Sequence, residues 1–186
     1  MPDMSAWGPL ALLAGEWVGE TGVDRAFSHT QGHVLDTPYR EICSMHPFGP
    51  VDSGSQELYG LDYRTTIWRG TEDHPFHAES GYWLWDAATN QVMKCFVIPR
   101  GIAVLAGGTC EPDARSWSMS AALGDTHYSI SENLHLANNA SSRRYDVTVY
   151  VGDDGSWSYD QTTVLRMNEF EGPFSHTDHH VLHRAS

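Results

Sequence analysis

The chain is expected to fold as an all-β antiparallel barrel of about ten strands with a short helical turn at its N-terminus. Three observations lead there. Short alternating segments run from Gly15 almost to the C-terminus, no long helical periodicity competes with them, and tight turn signals separate them. Antiparallel strands with nothing to cover their edges close on themselves, and a closed barrel of this size encloses a cavity. The cavity implies a small, largely apolar or aromatic ligand.

The elements follow in order. Met4 to Ala14 reads as one or two helical turns with a serine cap at Ser5 and a stop at Gly15, suited to plugging a barrel end. Glu16 to Thr21 is the first strand, and Gly22 to Pro38 lacks periodicity and reads as a long loop. Tyr39 to His46 resumes a strand, and Pro47, Gly49, Pro50 and Gly54 mark an irregular connection. Strands are then expected over Gln56–Trp68, His77–Asp86, Gln91–Ile98, Ile102–Thr109, Ser116–Leu123, Thr126–Leu136, Arg144–Val151, Ser156–Met167 and His176–Arg184. Asp86–Asn90, Pro99-Arg100-Gly101 and Asp153-Asp154-Gly155 supply hairpin turns. Alternation is clean where Tyr145, Val147, Val149 and Val151 share one face. Residues 1–186 read as a single domain.

With 24 acidic and 11 basic residues the chain carries a net charge of −13, and Lys94 is its sole lysine. Such a surface repels phosphate backbones and anionic bilayers, so neither a nucleic-acid partner nor a membrane partner is expected. Cys43, Cys95 and Cys110 are odd in number and lack CxxC spacing, which argues against a disulfide framework or a zinc knuckle. The apolar run Leu10 to Ala14 has no basic flank and is too short for a bilayer, so the expected location is cytoplasmic. The sequence leaves assembly into a homodimer open.

Four histidines near the C-terminus, His176, His179, His180 and His183, are the densest set of ligand-capable side chains. On a strand His176 and His180 share one face, and His179 and His183 the other, so one pair at most looks inward. A neutral imidazole can ligate iron, with Asp178 or a carbonyl orienting the ring. His77 and Glu79 share a face and can form an acid–base or ligand-and-orienter pair, which makes them the catalytic candidates. The bland reading is a hydrogen-bond network that fixes strand register. His127 and His135 are further partners for a zinc or non-haem iron site, although their spacing is not diagnostic. Trp17, Trp68, Trp83, Trp85, Trp117 and Trp157 all fall on expected strands, where they could wall a flat aromatic ligand.

His77-Ala78-Glu79-Ser80-Gly81-Tyr82 resembles the core motif of the nitrobindins. Leu13 to Glu20 resembles their first strand, Arg40-Glu41-Ile42 with His46 their second, and Arg166-Met167 with Pro173 and Leu182 their closing pair. The resemblance implies a ten-stranded barrel, similar in outline to lipocalins and fatty-acid-binding proteins, that holds haem b at one mouth. It also implies nitric oxide binding at the iron, peroxynitrite isomerisation in some members, a single histidine ligand on the last strand, and a distal-side role for His46. Counted from Met167 without gaps, the ligand position falls on Thr177, with His176 beside it and His179 one pleat further on the same face. The expected cofactor and metal positions are therefore His176, His179, Thr177 and His46. A haem-free carrier of an apolar molecule and a barrel-pocket enzyme are the alternatives.

Overall fold

A computed structural model describes residues 4–185. Eleven strands close into one barrel: β1 (Gly15–Ser28), β2 (His33–Asp52), β3 (Glu57–Arg69), β4 (His77–Asp86), β5 (Gln91–Ile98), β6 (Ile102–Thr109), β7 (Ser116–Leu123), β8 (Ser129–Glu132), β9 (Ala140–Val151), β10 (Trp157–Met167) and β11 (Phe174–Arg184). The order around the wall is β1-β11-β10-β9-β7-β8-β6-β5-β4-β3-β2, and β1 closes the circle on β2. All neighbours are antiparallel except β7 and β8, which pair in parallel through Ala122 with Ser129 and Leu123 with Ile130. No described helix is long and apolar enough to cross a membrane.

Three elements differ from the sequence reading. Gly22 to Pro38 is no loop, because β1 and β2 continue as a hairpin that turns over residues 29–32. The segment was illegible because its outer half stands at the rim, where neither face is buried enough to require alternation. The connection after His46 likewise stays in β2 as far as Asp52, with a register shift between Phe48 and Val51. The expected strand Thr126–Leu136 keeps only the four residues of β8. Asn133 then caps a short helix, α1 (Leu134–Asn139), by accepting a bond from the Leu136 amide at 3.0 Å.

The interior has three layers. At one end a 3-10 segment, Ser5–Leu13, inserts Leu10 and Leu13 against Trp17, Met45, Leu61, Trp85, Val92, Val149, Trp157 and Leu182. Trp7 fixes the plug by donating to the Gly60 carbonyl at 3.0 Å. The middle layer is polar and buried: Glu41, Tyr63, Thr65, Glu79, Lys94, Tyr145, Tyr159 and His180. The third layer is the mouth, which Leu136 of α1 borders. Five of the six strand tryptophans weighed above are buried, and Trp68 instead carries the Arg40 guanidinium, 4.6 Å from its ring centre. None of the five borders the recesses at the mouth, so they pack the core and do not wall a ligand there.

Two motif glycines have a steric origin. A Cβ on Gly81 would overlap the Cys95 carbonyl oxygen of the neighbouring strand, and one on Gly19 would overlap the His180 ring. Gly81→Ala is therefore predicted to cost about 1–3 kcal/mol of unfolding free energy, since backbone cannot move aside as a side chain can. Gly172→Ala, with open space around it, should shift the urea midpoint negligibly.

Candidate functional site

The mouth site is built from β4, β5, β6, β8, β9, β10 and β11. A cavity of about 150 Å³ is walled by Phe96, Ile98, Ile102, Val104, Ile130 and Leu165, with Leu136 of α1 over it and His77, Gln161 and His176 on its polar side. A second recess of about 130 Å³ lies across those three polar residues, bordered by Asp24, Tyr39, Ile67, Arg69, Phe76 and Asp178. Alternation on β11 places His176, Asp178, His180 and Leu182 on the inner face.

His176 is the last-strand histidine that borders both recesses. Its Nε2 meets the Asp24 carboxylate of β1 in a short hydrogen bond. His180 is fully buried, donating from Nδ1 to Glu41 at 2.7 Å, and its Nε2 has no partner among the described residues. That nitrogen faces Gly19 of the barrel wall, where no cofactor has access.

The other expected positions lie elsewhere. His179 is on the outer face, 2.7 Å from Asp160, with its side chain 55% exposed. Thr177 has the same outward parity and pairs across to Arg25 and Thr162. His46 is outside the barrel near the plug end, paired with Glu16 at 2.6 Å, so it does not look onto the mouth. His127 and His135 are exposed, and among the described residues no three His, Cys, Asp or Glu side chains converge as a metal site. The one-residue offset counted from Met167 therefore resolves in favour of His176 as the cavity-lining residue.

His77 and Glu79 do face inward, and they meet a residue that the sequence reading left out of the site. Lys94 Nζ donates to Glu79 Oε2 at 2.8 Å and to Tyr145 Oη at 3.2 Å, while Tyr63 donates to the same Oε2 at 2.8 Å. His77 Nε2 stands 3.3 Å from Glu79 Oε1. The rings of Phe96, Tyr63, Trp83 and Tyr145 surround the ammonium at 4.2 to 5.6 Å. Burial pushes the Glu79 carboxyl up, but the Lys94 charge and His77 overcome it and hold the group at about 2. Burial likewise works against the Lys94 charge, and Glu79 with Tyr145 more than restores it. His77 is raised because the Glu79 bond and charge outweigh its burial. A second network joins Glu41, Thr65, His180, Tyr159, Tyr39 and Asp178, with Tyr39 donating to Asp178 at 2.5 Å. Burial, aided by the charges of Glu41 and Asp24, raises Asp178 to about 6 even though the Tyr39 bond works the other way.

A barrel plugged at one end, with an aliphatic recess and a carboxylate-bound histidine at the other, defines a small-molecule binding barrel. The chain matches, over residues 6–184, the family described as THAP4-like, heme-binding beta-barrel domain, and it belongs to that family. The nitrobindin resemblance of the sequence agrees with this membership. Among solved structures it is similar to Rv2717c from M. tuberculosis, with 21% identity, a TM-score of 0.69, and coverage of 97% of this chain and 98% of that one. That likeness concerns the fold. No curated protein sequence matches the chain.

The charge pair makes a sharp stability prediction. Lys94→Met leaves the Glu79 carboxylate buried with only Tyr63 and His77 as partners and should cost about 3 kcal/mol, whereas Glu79→Gln with Lys94→Met should recover most of the loss. Glu79 is depressed in the folded state, so its contribution is complete above its ordinary value of 4.5 and is lost as pH falls towards about 2. Urea titrations across that window should show the loss in the wild-type chain and not in the double variant.

Proposed function

We propose that the mouth recess holds haem, the ligand class that the family description names, with His176 as the axial ligand and Asp24 as the carboxylate that orients it. The observation that carries this reading is the pairing of His176 with Asp24 opposite an aliphatic wall. Metal-ligating histidines regularly give their second ring nitrogen to a carboxylate, which fixes the ring and raises its basicity. No described residue bonds the other nitrogen, Nδ1, so one donor is free for a metal. The two recesses flanking His176 together approach the lower end of the ~300–1,000 Å³ usual for small-molecule pockets. The donor set and the aliphatic walls fit the chemistry of the group.

Bound there, with His176 as its ligand, haem would supply iron chemistry towards nitric oxide or peroxynitrite. The chain's own residues do the rest. Ile98, Ile102, Val104, Ile130 and Leu165 exclude water from one side of the recess. His77, whose basicity the Glu79 bond and charge raise against its burial, presents its imidazole at the cavity wall. Glu79 is engaged by Lys94, Tyr63 and His77, so its role is to position His77. The small volume of the main recess favours a second reading, a carrier of a smaller apolar molecule without iron.

A haemin titration separates these readings. Saturable binding with a shifted Soret band is expected, weakened at least tenfold and altered in shape by His176→Ala, and unchanged by His179→Ala on the outer face. Equal spectra in all three proteins would remove His176 as ligand. A featureless titration would leave the iron-free carrier.

A further inference from the structure

We infer that the mouth carries an anion-binding rim, Arg69 and Arg100, that selects ligands bearing a carboxylate. This rests on the mouth being the ligand site proposed above, and it adds what kind of apolar molecule enters.

The chain has ten arginines and one lysine, set against 24 acidic residues. Lys94 is consumed inside the barrel by Glu79. Arg25, Arg115 and Arg144 pair with Asp36, Asp153 and Asp146, and Arg40, Arg166 and Arg184 spend their donors on backbone carbonyls. Four arginines remain: Arg64 and Arg143 are also exposed and unpaired among the described residues but line none of the recesses at the mouth, whereas Arg69 and Arg100 do. Both are exposed, and neither forms a salt bridge among the described residues. Both border the rim recess beside the β1–β2 hairpin. Arg100 also borders the aliphatic cavity and Arg69 the recess on the other side of His176.

Their backbone positions are held by other groups. Asn133, the α1 cap, donates its side-chain amide to the Arg100 carbonyl at 2.6 Å, which pins the β5–β6 turn and leaves the guanidinium uncommitted. The Arg69 guanidinium lies over the Phe76 ring at 4.1 Å and donates no hydrogen bond among the described residues. Asp24 shares the rim, but its carboxylate is bound to His176. An unpaired guanidinium fork next to an apolar cavity matches an amphiphile whose body enters the barrel and whose carboxylate stays at the rim. Porphyrin propionates and long-chain fatty acids share that chemistry. In a protein of charge −13 such anions would otherwise be repelled.

The test compares free acids with their esters. Metal-free protoporphyrin IX needs no iron ligand, and its dimethyl ester lacks the carboxylates. Tryptophan quenching should show the acid binding at least tenfold more tightly than the ester at low salt. Arg69→Gln with Arg100→Gln should remove that preference, while Arg115→Gln at the plug end should keep it. Rising ionic strength should narrow the gap. The same pair of measurements with a fluorescent polyene fatty acid and its methyl ester distinguishes the two sources. An acid preference for the fatty acid alone would sustain the rim and overturn the haem reading. Equal affinity of acid and ester in both series, or an acid preference that survives the double substitution, would overturn the rim itself.

Discussion

Everything in this barrel is arranged around one buried ion pair, Glu79 with Lys94. The chain spends its single lysine in the interior, and two charges taken out of water are tolerable only when their remaining bonds are satisfied. Tyr63, Tyr145 and His77 supply those bonds, and four aromatic rings enclose the ammonium. The pair joins β4 to β5 and, through Tyr145, to β9 on the opposite wall. A layer of satisfied polar groups therefore crosses the barrel at mid-height. It separates a packed tryptophan-rich half from an open half and sets how deep a ligand can reach.

Below that layer the plug and the tryptophans leave no room. A cavity of only about 20 Å³ remains between the two polar networks, space on the scale of a single water. Above it the walls change to aliphatic side chains from β5, β6, β8 and β10, and β11 contributes His176. The larger recesses beside His176 thus lie at the mouth, beyond the packed half. Strand parity, not packing, keeps His46 and His179 on the outer face, where each pairs with a surface carboxylate.

Much of this was legible in the chain. Alternation and turn residues indicated the barrel, and parity divided the C-terminal histidines into His176 with His180 against His179 with His183. Parity alone cannot say which pair faces inward, and that answer came from the register of β11 against β1 and β10. Lys94 was counted for its charge and overlooked as a site residue, although a lone lysine within an apolar strand was the available signal. Asp24 could not be found, because it sits in a segment without alternation and meets His176 from 152 positions away. The helix α1 was hidden by its length, since six residues carry too little periodicity to compete with a strand pattern.

In the proposed reading, ligand enters at the mouth and stops at the polar layer. Five isoleucines report on it: Ile98, Ile102 and Ile130 line the main recess, Ile67 borders the second, and Ile42 lies on the outer surface. The most direct measurement is a methyl NMR titration of isoleucine-labelled protein with gallium protoporphyrin, a closed-shell stand-in for haem. The account predicts large shifts at Ile98, Ile102 and Ile130, a smaller one at Ile67 and none at Ile42. Shifts concentrated at Ile42, or saturation with the three recess methyls unmoved, would contradict it.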